Sequence, residues 1–181
     1  LLRPRPARAA QPDQADAIAK ISGVASGSAI ASYQWANRGK APTGYIKGMA
    51  VSYAKVYHEL GAGNAYAVEM AKAMTADASK DALKHYEDIF AEAKMDNTKA
   101  GPDTLRHLFV LMLGLGMRES SGKHCEGRDR SANNTTAETA EAGLFQTSFN
   151  ARHASPLLPK LFTAFTAKPA PSYLDIFKEG V

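Results

Sequence analysis

The sequence predicts a mainly α-helical domain with a central buried helix and little or no β-structure. Three observations carry that prediction. Apolar residues recur at helical spacing through "YIKGMAVSYAKVYHEL" (45–60) and "LRHLFVLMLGLGM" (105–117). Gly and Pro clusters such as "GAGN" and "AGPD" bound these runs. The helical segments leave little room for a sheet. With 181 residues, 45% hydrophobic and 22% charged, the chain fits one globular domain with a sizeable core.

Residues 1–13, rich in Pro, Arg and Ala, are expected to be a flexible segment, and 14–181 a single domain. Small residues dominate 14–33, which predicts a weak helix broken near its glycines, and "NRGKAPTG" (37–44) reads as loop. A helix over 45–60 follows, then a short one over "AYAVEMAKAM" (65–74). A longer helix is expected over 79–95, with Ser79 as its N-cap. Pro102 suits the first turn of the next helix, which runs to about Ser120. Residues 124–141 form a long polar loop, and such loops in compact domains are more often functional than neutral. "AGLFQTSFN" (142–150) fits a short strand or turn, while "SPLLPKLFTAF" and "SYLDIF" read as closing helices.

The longest apolar run, Leu108–Met117, is about half of the roughly 20 residues that cross a bilayer, so no membrane span is expected. The net charge of +4 favours anionic partners or simply solubility. No basic block interleaved with aromatics is present, so nucleic acid is not an expected partner. The start "LLRPRPARAAQPDQ" reads as a worn leader or linker, and "SYLDIFKEGV" stops within what reads as a helix. The expectation is therefore a truncated chain, secreted or periplasmic, in which a partner for the lone Cys125 lies beyond Val181.

The stretch "GMRESSG" (116–122) raises the functional question. Leu105, Phe109, Met112 and Gly116 share a stripe at steps of three and four, and its continuation falls on Glu119. Leu108, Leu111 and Leu115 form a neighbouring stripe, so the helix is apolar almost all round and should be central. A carboxyl at the end of such a helix is expected to sit where water is scarce. Desolvation and the helix C-terminus both disfavour its charged form, which is what a general acid needs. The alternative is a Glu119 that turns outward or pairs with Arg118 or Lys123.

"MRESSG" (117–122) followed by "AGLFQTS" (142–148) resembles the lysozyme-like superfamily, especially goose-type lysozymes and soluble lytic transglycosylases. The resemblance covers roughly residues 100–150 and implies a helical lysozyme-like catalytic domain acting on β-1,4-linked amino-sugar glycan. It implies Glu119 as general acid, Ser120 as the small hydroxyl residue after it, and Gly143, Leu144 and Gln146 as the cleft-lining segment, with Phe145 where Met is usual. Three departures are visible. The loop between Glu119 and Gln146 is longer than in those families. Ser148 stands where goose-type enzymes place an Asp after the cleft segment. The "AYN"-type segment of lytic transglycosylases is absent from residues 1–181.

Hydrolysis commonly uses a second carboxylate, whereas a lytic transglycosylase lets the sugar's own 6-hydroxyl close an anhydro ring. The loop offers Glu126, Asp129, Glu138 and Glu141. Asp129 is preferred because "EGRDR" resembles the glycine-flanked acidic turn of goose-type enzymes, with Glu141 next. A turn neutralised by Arg128 and Arg130 is the alternative. Ser120, Gln146, Ser148 and Asn150 are the expected sugar-binding residues. Arg152 suits a wall carboxylate, and Trp35 and Tyr45 are either stacking aromatics or core.

Other chemistries fit poorly. His124 and Cys125 are adjacent and lack a second ligand cluster, so no metal is expected. Ser120 and Ser121 lack the G-x-S-x-G elbow of a hydrolase triad, and no phosphate-binding glycine loop implies a cofactor. "NNTT" (133–136) contains sequons but reads as a polar turn. The sequence reading is thus cleavage of peptidoglycan by transglycosylation or hydrolysis, without cofactor. A chitinase or chitosanase, and a non-catalytic wall-binding protein, are the alternatives.

Overall fold

The computed structural model of the chain describes residues 14–130, 133–167 and 172–181. The expected flexible segment 1–13 lies outside them. In chain order the elements are α1 (Gln14–Ser26), α2 (Ala29–Ser32), a hairpin of β1 (Gln34–Trp35) and β2 (Gly39–Lys40), α3 (Thr43–Gly61), α4 (Ala65–Met70), α5 (Ala82–His85), α6 (Glu87–Glu92) and α7 (Pro102–Ser120). A 3-10 turn at Phe149–Ala154, α8 (Leu158–Ala167) and a 3-10 turn at Ser172–Lys178 complete the fold. The fold is mainly α, and β1 and β2 pair antiparallel as its small two-stranded sheet.

The helix ends follow local chemistry. The Asn64 side chain accepts the backbone N–H groups of Tyr66 and Ala67 and so starts α4. The expected helix over 79–95 starts later and is divided, with Tyr86 between α5 and α6. Asp81, not Ser79, is its N-cap, accepting from the N–H groups of Leu83 and Lys84. The Ser79 hydroxyl is instead spent on Asp77 in the preceding turn. Pro102 begins α7 as expected.

The core is organised where α3 meets α7. Tyr45 of α3 is completely buried, and its hydroxyl donates to the Leu113 carbonyl of α7 at 2.8 Å. Burial pushes the phenol well above its ordinary pKa, so it remains a donor. Its ring occupies the space that a side chain at Gly116 would need, since a Cβ there would lie 2.4 Å from the Tyr45 oxygen. Leu105, Phe109 and Met117 of α7 and Ile46 and Met49 of α3 fill the remainder. Of the two readings of Tyr45, stacking aromatic or core residue, the structure gives core.

α7 is central but not buried all round. Val110 and Leu115 are 46% exposed, so one flank of the helix faces solvent. The chain end closes another flank of α3. Phe177 packs over Gly48, the Gly44 N–H donates to the Glu179 carbonyl at 2.8 Å, and Lys47 pairs with the Glu179 carboxylate at 2.8 Å. On the far side, His107 of α7 is buried against Phe90, with Nδ1 2.7 Å from the Asn97 side-chain oxygen. That contact holds the 95–99 loop to α7.

Removing the phenolic hydroxyl with Tyr45→Phe leaves the Leu113 carbonyl under-satisfied and is expected to lower stability by about 1–2 kcal/mol in urea titration. Burial, reinforced by Arg106, depresses the His107 pKa below 6.5. Unfolded histidine therefore binds the proton more readily than folded His107. The resulting stabilisation is complete above pH 6.5 and is lost as pH falls from there through the depressed folded value. Urea midpoints measured against pH should drop over that range, and His107→Leu should flatten the drop while lowering stability at pH 8.

Candidate active site

The end of α7 explains the residues that follow Glu119. Ser121 takes the left-handed conformation (φ 55°), and its N–H closes on Met117 while that of Gly122 closes on Gly116. Gly122 (φ 76°) turns the chain directly beneath Tyr45 and Pro42, where a Cβ would lie 2.9 and 2.8 Å from their side chains. A helix stop with no room for a side chain calls for glycine, which is how "SSG" comes to end so apolar a helix.

Ser120 is the residue that points inward. It is 4% exposed, and its hydroxyl lies 3.0 Å from the Gly116 carbonyl and 2.8 Å from the Leu144 carbonyl. Residues 24 positions apart are thereby joined, and the two segments "RES" and "GLFQ" become one structure. The 142–147 turn is also self-consistent. Gln146 donates its backbone N–H to Gly143, Ala142 bridges to Thr147, and the Gly143 N–H donates to Glu126 at 2.8 Å.

Around this junction lies a polar groove of about 540 Å³. Its carboxylates are Glu119, Glu126, Asp129 and Glu141, and its cations are Arg38, Arg118, Lys123, Arg128 and Arg130, with Gln146 also in the wall. Glu119 and Asp129, the expected catalytic pair, thus border one space. Among the described residues, Glu119 makes no hydrogen bond and no ion pair with Arg118 or Lys123.

Several expectations are corrected. Glu119 is exposed rather than buried. Adjacent helical residues point about 100° apart, and the buried face of Leu105, Phe109, Gly116 and Met117 ends on Ser120. Glu119 is thereby turned to the flank. Ser120 borders the groove, and its hydroxyl is taken up by backbone carbonyls. Ser148 and Asn150 lie outside the groove: the Ser148 hydroxyl is 2.5 Å from the Asn150 side-chain oxygen, and the Asn150 N–H donates to the Glu138 carbonyl. Arg152 pairs with Glu138 at 2.6 Å and sits over the Phe149 ring, so it is not held ready for a ligand. Of the two readings of Trp35, the structure gives packing against the core, edge-on to Tyr33 and outside the groove lining.

Gln146 lines the groove as expected, in a left-handed conformation (φ 44°). Its amide NH₂ donates to Gly127 at 3.2 Å and to Gly143 at 3.0 Å, which ties the loop to the turn and directs its remaining capacity to the side-chain oxygen. The residue that sequence reasoning missed is Arg38. It comes from the β1–β2 hairpin, far from the other members in sequence, and nothing in its local pattern signals the groove. Arg118, Lys123, Arg128 and Arg130 also line the groove, and their signal was their closeness in sequence to Glu119 and Asp129.

Cys125 is an exposed free thiol. No three His, Cys, Asp or Glu side chains cluster as a metal site among the described residues, and no described helix is long and apolar enough to cross a membrane. No protein-family model, curated protein or solved structure matches the chain.

Ser120→Ala leaves the Leu144 carbonyl without its donor and should cost about 1–3 kcal/mol in urea unfolding. Hydrogen exchange at the Gln146 and Thr147 amides should quicken with it, because their turn loses its tie to α7.

Proposed function

We propose that this groove cleaves β-1,4-linked amino-sugar glycan of the peptidoglycan type, with Glu119 as the general acid. The single observation that carries the proposal is the meeting of Glu119 and the 142–147 turn at one polar groove, joined through Ser120 and Leu144. The resemblance of those two segments to goose-type lysozymes and lytic transglycosylases gives the reaction its class. The excess of cations over carboxylates in the groove suits a glycan bearing acidic peptide stems better than cationic chitosan. A substrate of that kind lies outside the cytoplasmic membrane, in keeping with a secreted or periplasmic protein.

A glycan strand laid in the groove displaces water from the carboxyl groups it covers, and desolvation favours the uncharged form of a covered carboxyl. Glu119 then passes its proton to the bridging oxygen as the C1–O bond breaks, leaving an oxocarbenium-like sugar. Two endings complete the reaction. In transglycosylation the sugar's 6-hydroxyl attacks C1 and returns its proton to Glu119. In hydrolysis Asp129 takes a proton from the attacking water. Gln146 offers its side-chain oxygen to a sugar N–H or O–H.

Glu119→Gln keeps the shape and removes the proton, and should lower peptidoglycan solubilisation by about 10²–10⁴-fold. Product masses separate the endings: anhydro ends mark transglycosylation, with Asp129→Asn nearly neutral. Reducing ends mark hydrolysis, with Asp129→Asn severely impaired. Binding of peptidoglycan by the wild-type chain without cleavage would identify a wall-binding protein instead.

A further inference from the structure

A second groove, of about 540 Å³, lies between α1 and α7 with α3 as its floor. Its character is opposite to that of the first. Ile46, Met49 and Ala50 of α3 form the floor, and Ile21 of α1 with Phe109 and Leu113 of α7 the walls. Val24 at 77% exposure and Val110 at 46% stand at the edges, an arrangement that hydration disfavours. The volume falls in the range of about 300–1,000 Å³ typical of small-ligand sites.

Charge within this groove is one-sided. Lys20 of α1 and Arg106 of α7 are its charged lining residues, and both are cations. Arg106 is shared with Asp103 at 3.1 Å, whereas Lys20 has no ion pair among the described residues. The Ser28 hydroxyl donates to the Ala25 carbonyl at 2.6 Å and is therefore occupied. An apolar trough with an ammonium on its wall matches a ligand with an alkyl chain and an anionic head. Such a molecule covers Met49 and Phe109 with methylenes and sets its carboxylate at Lys20.

We propose that this groove binds one free long-chain carboxylate, its alkyl chain along α3 and its head group at Lys20. The site stands apart from the Glu119 groove and does not depend on the glycan reading. Calorimetric titration with octanoate, decanoate and dodecanoate, each below its micelle concentration, tests it. Expected is one molecule per chain, with affinity rising about fourfold for each methylene covered, hence about 15-fold per two-carbon step, until the groove is full.

Dodecyltrimethylammonium, which has a chain of the same length but a cationic head, should bind at least tenfold more weakly, and Lys20→Glu should reverse that order. Val24→Asp alters a highly exposed position, so it should leave folding intact and weaken dodecanoate. The proposal is overturned by an absence of saturable binding, by equal affinity for the two head groups, or by an unchanged order in Lys20→Glu. Binding to phosphatidylglycerol vesicles but not to monomeric dodecanoate would overturn it in favour of a membrane surface. Sedimentation velocity showing a dimer that Val24→Asp dissociates would overturn it in favour of a second copy of the chain.

Discussion

Tyr45 is the constraint on which the rest of the arrangement depends. A phenol with no solvent exposure has to find an acceptor inside, and the Leu113 carbonyl of α7 is where it finds one. That bond fixes α7 along its axis and about it, because the ring also demands the bare backbone of Gly116 beside it. Gly122, one short turn later, must pass beneath the same ring and does so with a conformation that side chains resist. One aromatic residue on α3 thus decides where α7 stops and which way its last turn faces.

The position of Glu119 follows from that choice. With Gly116 and Met117 against the core, the next inward residue is Ser120, and its hydroxyl is directed to the 142–147 turn. A serine suits this place because it is small enough to be buried and carries a proton for a carbonyl that would otherwise lack one. Glu119 is left on the flank, above the loop that brings Asp129 and the basic residues. The groove is therefore assembled from the end of a core helix, a turn tied to it and the loop between them.

The sequence made some of this plain for simple reasons. Pro102, the apolar repeat and "SSG" mark the start, course and stop of α7 because each acts locally, through a ring, a stripe or a left-handed turn. That Glu119 and Gln146 border one groove was legible from the pairing of two motifs in order. The orientation of Glu119 was not, since moving the buried face by one residue separates a carboxyl held in the core from one at its edge. That phase is set by Tyr45, 68 residues from its acceptor Leu113. Arg38 was hidden for the same reason of distance. Ser148, Asn150 and Arg152 carry groups suited to sugar, yet short-range partners in Glu138, Phe149 and one another claim them first. The division of the expected 79–95 helix shows a local competition too, in which Asp81 outbids Ser79 for the cap.

If Glu119 is the general acid proposed above, its exposure changes what the rest of the groove has to accomplish. A general acid buried in advance carries its own dry surroundings, whereas one at a groove edge relies on the ligand to remove water. On that proposal, contacts remote from the bond being cleaved become part of the chemistry, since the strand itself has to cover the carboxyl. Cations along the walls serve that purpose if the strand is acidic, drawing it down over Glu119 and Asp129 at the cost of mutual repulsion while the groove is empty. Such a site would reward length and charge in its substrate more than the identity of any single sugar.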